Sequence, residues 1–190
     1  MKIVIFGDSI TNGYDHTDHS ASNVLKEMTE TAAKLAGLDL EVELQGVNGE
    51  TTTAGLRRVS RVIDAKADKV LIFFGANDSA TYEPLTEADF LTNLSDLTEK
   101  IGAEHVILLT PPWHDDRFES GIRGNDFLTA FGKQTKRCAV QFSLPVIDVF
   151  AAMEADEPVK WLQADGLHFS KVGYEKLGKL IVNYFMKLTE

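Results

Sequence analysis

Short apolar runs alternate with amphipathic stretches along the whole chain. Lys2 to Phe6, Leu40 to Leu44, Lys69 to Phe74, His105 to Leu109 and Val146 to Val149 read as five strands. Most of these runs are continuously apolar, as parallel strands buried on both faces must be. The stretches between them repeat with helical spacing. Val24, Leu25, Met28, Ala32 and Leu35 share one face, closed by Gly37, and Leu56, Val59 and Ile63 share another. Phe90, Leu94, Leu97 and Ile101 form a third, opened by Thr86 as N-cap and closed by Gly102. Phe127, Phe131, Thr135 and Cys138 predict a fourth helix, and Leu177, Leu180, Ile181, Tyr184 and Leu188 a last one, capped by Ser170. This alternation predicts a three-layer α/β/α sandwich with a five-stranded parallel sheet, one domain spanning 1–190. With right-handed crossovers the expected strand order is 2-1-3-4-5, which opens a crevice between the carboxyl ends of strands 1 and 3.

Composition narrows the classes. Asp and Glu number 29 against 19 Lys and Arg, a net charge of −10 that argues against nucleic acid as a partner and against anionic membrane surfaces. A single cysteine, Cys138, cannot form an internal disulfide and fits a reducing, cytoplasmic compartment. The apolar run at Ile3 to Phe6 is too short for a secretion signal, and no stretch reaches the length of a membrane span. A homo-oligomer built on an exposed apolar helix stripe remains open.

Four polar, glycine-punctuated clusters fall on the site edge of the predicted sheet. They are Gly7-Asp8-Ser9-Ile10-Thr11 after strand 1, Gly46-Val47-Asn48-Gly49-Glu50-Thr51-Thr52 after strand 2, Gly75-Ala76-Asn77-Asp78 after strand 3, and Asp165-Gly166-Leu167-His168 beyond strand 5. In order and strand position these clusters resemble the four blocks of the SGNH (GDSL-type) hydrolase superfamily, over the stretch from Gly7 to His168. Phe73-Phe74-Gly75-Ala76-Asn77-Asp78 with Pro111-Pro112 and the last block looks most like the small, isoamyl-acetate-type esterase branch. The resemblance implies a serine esterase or acylhydrolase cleaving small carboxylic esters, with Ser9, Gly49, Asn77 and His168 as its block residues and no cofactor.

The chemistry agrees with the residue types. A serine hydroxyl needs a base, and neutral imidazole, with a reference pKa of about 6.5, suits that task. Asp165, three residues before His168, can hydrogen-bond its Nδ1–H and fix the tautomer. The resemblance further implies an oxyanion hole made by the backbone N–H groups of Ser9 and Gly49 and the Asn77 amide. Gly49 leaves the backbone open to a ligand, and an amide stays a donor at every working pH. Carbohydrate deacetylase, lysophospholipase and thioesterase activities would use the same triad. A catalytically silent ligand-binding module of flavodoxin-like topology is the rival from another class. Against a phosphate-binding module stands the absence of a phosphate loop after strand 1.

Other polar features read as structural. Asp8 supports the nucleophile loop and Asp78 forms a turn; His105 opens strand 4, and Cys138 belongs to the core. Arg57, Arg58 and Arg61 read as a solvated basic face. Asp15-His16-Thr17-Asp18-His19 offers four potential ligands in five residues, but its spacing fits neither a helical His pair nor a zinc-finger half, so no metal is expected there. The stretch from Pro111 to Asn125, with Trp113, His114 and Phe118, is expected to shape an acyl pocket or act as a lid.

Overall fold

The computed structural model describes residues 1–83, 85–118 and 121–188. The loop read from 111 to 125 is therefore described except for residues 119 and 120, which lie outside the described residues.

Five strands form one parallel sheet: β1 (Lys2–Gly7), β2 (Glu41–Gly46), β3 (Lys69–Phe73), β4 (Val106–Leu109) and β5 (Val146–Ile147), in the order β2-β1-β3-β4-β5. Among the described residues six helices connect or follow them: α1 (Val24–Leu35), α2 (Thr52–Asp64), α3 (Glu87–Ile101), α4 (Asn125–Phe142), α5 (Val149–Glu154) and α6 (Lys171–Met186). The expected three-layer α/β/α architecture and strand order are the observed ones.

The central strands are buried on both faces, which is why their sequences are apolar throughout. Ile3 and Ile5 of β1, Leu71 and Phe73 of β3, and Ile107 and Leu109 of β4 join one core with α1, α5 and α6. The alternate residues Val4, Phe6, Val70, Ile72, Val106 and Leu108 join a second core with α2, α3 and α4. Each fully buried aliphatic or aromatic side chain contributes about 1.5–3 kcal/mol by leaving water, so this double-faced sheet is the main stabilising element. In the second core Phe6 and Phe74 meet edge to face at 5.1 Å.

Helix ends follow the sequence signals closely at α3 and α6. Thr86 and Asp89 form a reciprocal capping box at α3, and Gly102 ends that helix. At α6 the Ser170 hydroxyl accepts the Gly173 N–H at 3.1 Å.

Several sequence expectations need correction. His105 does not open β4 but ends a short 3-10 turn, Ala103–His105. The fifth strand stops at Ile147, because Asp148 accepts the Ala151 N–H at 3.2 Å and starts α5 at Val149. On α2 the buried partner of Val59 is Val62, while Ile63 is exposed; on α4 Phe127 is likewise exposed. Cys138 is buried in the second core, as read from its helical face. No helix among the described residues is long and apolar enough to cross a membrane.

Candidate active site

β1, β2 and β3 end level with one another, with Gly7 paired to Gly46 on one side and Phe73 on the other. The chain switches direction at this point of the sheet, and three loops leave it together. The turn after β1 approaches β2 so closely that a Cβ on Gly46 would lie 2.3 Å from the Asn12 nitrogen. Only glycine fits there. Arg58 fastens the same corner. Its Nη atoms donate to the carbonyls of Gln45 at 3.1 Å and Gly7 at 2.9 Å, its Nε to Glu50 at 2.5 Å, and its guanidinium lies over the Phe6 ring. Arg58 is thus a structural tie rather than part of a solvated face; Arg57 and Arg61 are exposed.

Two buried carboxyls brace these loops. Asp8 accepts the Ile10 N–H at 2.9 Å, and Asp78 accepts the Thr52 N–H at 2.8 Å and its hydroxyl at 2.5 Å, clamping the start of α2 to the loop after β3. Burial pushes Asp8 up to about 7, the hydrogen bond from Ile10 opposing it. Burial likewise raises Asp78 to about 6 against its bonds from Thr52.

Across the cleft, the loop before α6 carries Asp165 and His168. Asp165 Oδ1 accepts the backbone N–H groups of Leu167 and His168, each at 3.0 Å, and Oδ2 lies 2.6 Å from His168 Nδ1. Burial pushes Asp165 up, but these hydrogen bonds outweigh it and hold the carboxyl at about 2. His168 Nε2 lies 2.9 Å from Ser9 Oγ. The Tyr14 ring packs on the imidazole at 4.5 Å between centroids. Gln163 Nε2 donates to the Tyr14 carbonyl at 2.8 Å, fastening the rim to this loop. From the 111–125 segment the Asp115 N–H donates to the Gly166 carbonyl at 2.9 Å.

Ser9, Gly49, Asn77 and His168 line one open cleft of about 360 Å³, together with Tyr14, Asn48, Tyr82, Arg123 and Leu167. Gly49 adopts a φ of +74°, and a Cβ there would meet nothing within 4 Å, so its backbone faces open space. Among the described residues the backbone N–H groups of Ser9 and Gly49 have no protein acceptor. Asn77 Nδ2 donates to the Glu50 carbonyl at 3.0 Å and, in a longer bond, to Asp8 Oδ2 at 3.4 Å. All five candidate residues read from the sequence therefore meet at one place. Sequence reasoning missed Tyr14, Asn48, Tyr82 and Arg123; Arg123 stands at the end of the loop that was expected to face the site.

The Asp15 to His19 segment folds as hydrogen-bonded turns at the rim. Asp15 accepts the N–H and hydroxyl of Thr17, Asp18 accepts the Ser20 N–H, and His16 Nδ1 lies 3.4 Å from Asp165 Oδ2. Among the described residues no three His, Cys, Asp or Glu side chains converge to hold a metal ion.

Residues 5–176 match the model of the GDSL-like lipase/acylhydrolase family. The chain belongs to that family. A crystal structure of the lipase/acylhydrolase from Enterococcus faecalis is 42% identical, with a TM-score of 0.90, covering 97% of this chain and 94% of that one. The likeness extends in fold alone to a variant of the acetyl xylan esterase Axe2 from Geobacillus stearothermophilus, 20% identical with a TM-score of 0.77 over 96% of this chain and 93% of that one. It extends in the same way to LAE5, an alpha/beta hydrolase enzyme from the metagenome of Lake Arreo, Spain, 21% identical with a TM-score of 0.79 over 96% and 93%. No curated protein matches the chain. As a member of the GDSL-like family it is a hydrolase of the esterase and acylhydrolase kind, on the α/β fold of that family.

Proposed function

We propose that the chain is a serine ester hydrolase acting on small carboxylic esters, with Ser9 as nucleophile, His168 as general base and Asp165 orienting it. The observation that carries this reading is the relay of 2.9 Å from Ser9 Oγ to His168 Nε2 and 2.6 Å from His168 Nδ1 to Asp165 Oδ2. An ionised carboxylate only accepts, so the imidazole proton sits on Nδ1 and Nε2 offers its lone pair to the serine hydroxyl. With its carboxyl held at about 2, Asp165 stays charged over the working pH range and stabilises the imidazolium that forms.

Ser9 Oγ bonds to the ester carbonyl carbon as its proton passes to His168 Nε2. The carbonyl oxygen, now negative, is received by the N–H groups of Ser9 and Gly49 and by Asn77 Nδ2, which exchanges its long bond to Asp8 Oδ2 for one to the oxyanion. The C–O bond then breaks and the alcohol leaves with the proton from Nε2. Water, giving a proton to His168, releases the acid from the acyl-serine and restores the hydroxyl.

The cleft supports short acyl groups, being about 360 Å³ and lined by Asn48, Tyr82 and Arg123 rather than by an aliphatic channel. That polar lining also favours a second reading, a carbohydrate deacetylase, since an acetylated sugar offers hydroxyls to such a wall. Hydrolysis of p-nitrophenyl esters from acetate to long acyl chains, beside acetylated xylan fragments, tests both. Turnover that fades beyond short acyl groups and vanishes in Ser9→Ala is expected; wild-type turnover in Ser9→Ala overturns the proposal.

A further inference from the structure

One buried cation at the site has no part in the relay. Arg123 is 6% exposed and lines the cleft beside Ser9 and Asn77. Its Nη2 donates to Asn77 Oδ1 at 3.0 Å and to the Tyr82 hydroxyl. Its guanidinium also lies 5.6 Å from the centre of the Tyr82 ring. The two segments that bring these residues together are stitched by their backbones, with the Thr81 N–H donating to the Ile122 carbonyl at 2.8 Å and the Thr81 hydroxyl to the Gly121 carbonyl at 3.1 Å.

We infer that Arg123 is a positioning residue for the oxyanion hole, acting through Asn77; the inference rests on the ester-hydrolase reading above. A primary amide has a donor end and an acceptor end, and half a turn about χ2 exchanges them. Guanidinium has donors only, so the edge of Asn77 facing Arg123 must be its carbonyl oxygen. The Glu50 carbonyl, 3.0 Å from Nδ2, and Asp8 Oδ2, 3.4 Å from it, demand the same orientation from the other side. With Arg123 in place Asn77 cannot present Oδ1 to the cleft, where it would repel an oxyanion. The charge-assisted bond to Oδ1 also draws electron density from the amide and makes its N–H groups better donors. The Glu50 carbonyl is a neutral partner and the Asp8 bond is long, so both enforce the orientation less strongly than the guanidinium at 3.0 Å does.

The test is a double-mutant cycle on a short p-nitrophenyl ester. Losing an oxyanion donor outright costs about 10²–10³ in turnover, so loosening it in Arg123→Met is expected to lower kcat roughly 10–100-fold, with KM within about threefold of wild type. In the Asn77→Ala background Arg123→Met is expected to cost nothing more, because there is no amide left to orient. A full drop from Arg123→Met in the Asn77→Ala background, a loss carried by KM alone, or an unchanged kcat would each overturn the inference. Arg123→Lys runs the same cycle with the buried charge kept and the fork removed, and serves if the methionine variant does not fold by thermal melting. Wild-type turnover in Asn77→Ala would instead defeat the reading of the hole itself. A loss in Asn77→Ala with none in either Arg123 variant would defeat only the inference.

Discussion

On the sheet side of the cleft, Asp8 and Asp78 lie beside the nucleophile loop and the Asn77 loop, and burial raises them to about 7 and about 6. On the α6 side, Asp165 is held at about 2, the hydrogen bonds from His168 and Leu167 prevailing over a smaller burial. Three acids within one site are thus tuned in opposite directions. The sheet side is built from backbone ends locked by buried ties, namely Gly46 against Asn12, Arg58 on two strand-end carbonyls, and Asp78 on Thr52. The α6 side is a surface loop held by its own turn and by Gln163 and Asp115. On the proposed mechanism this division is sensible. The acid that ionises most readily stands behind the imidazole, where positive charge develops, while burial opposes ionisation of the acids nearest the oxyanion donors.

The sharpest way to break the contrast is to remove the charge on the α6 side. Asp165→Asn keeps an acceptor for the Leu167 and His168 N–H groups, so the loop is expected to stand. Its amide, however, turns a donor toward His168 Nδ1 and favours the tautomer with the proton on Nε2. Turnover of a short ester is expected to fall by about 10⁴, with the melting temperature little changed. A variant within tenfold of wild type would show that Asp165 is only a turn residue. Next in size comes the sheet side. Asn77→Ala is expected to lower kcat by roughly 10²–10³ in a protein that still folds, and near-wild-type turnover would remove Asn77 from the hole.

The contrast also explains what could be read in the sequence. The sheet side was legible because the first three strands each run to a glycine at or just past their ends, so Gly7, Gly46 and Gly75 mark where the loops begin. Asp165 and His168 were legible because their spacing is local. Arg58 was misread, since helical periodicity reports which face a Cα lies on and not how far back a long side chain reaches; its head meets Gly7, 51 residues away. Ile63 and Val62 were exchanged for a related reason, as a wide apolar stripe does not say which of two adjacent residues points inward. Arg123 and Tyr82 carried no signal, because loops without periodicity deliver them to a partner 41 or 46 residues distant. The extent of β5 was overestimated because Asp148, which accepts from Thr110 Oγ1 at 3.0 Å as well as from Ala151, starts a helix inside an apolar run.

The buried acid can be tested by linkage. Because its folded pKa is raised above the ordinary value of 3.8 to about 7, the folded state holds a proton on Asp8 that the unfolded chain has lost across that interval. The unfolded state binds fewer protons there, so this group makes stability fall as pH rises from about 4 to about 7, and the penalty is complete above it. Asp8→Asn removes the titration but leaves an oxygen to accept from Ile10. The stability of wild type minus that of the variant, from denaturant unfolding at several pH values, is expected to decline by on the order of 1–4 kcal/mol over that window. A difference that does not change with pH would mean that Asp8 is ionised in the fold throughout, and the contrast with Asp165 would disappear.

The smallest expected effect concerns the rim, where the α6 side meets the Asp15 to His19 turns. A metal there would need ligands that are already engaged. Asp15 accepts from Thr17, Asp18 from Ser20, and His19 Nδ1 pairs with the Tyr14 hydroxyl at 2.5 Å. His16 Nδ1 turns instead toward Asp165, 3.4 Å away, where a bound cation would compete with His168 for the same carboxylate oxygen. Prolonged treatment with a chelator is therefore expected to leave ester turnover unchanged, and added zinc to give no gain. Loss of activity on chelation, with recovery on adding zinc and none in His16→Ala, would show instead that the rim carries a cation and that the charge behind His168 is not set by Asp165 alone.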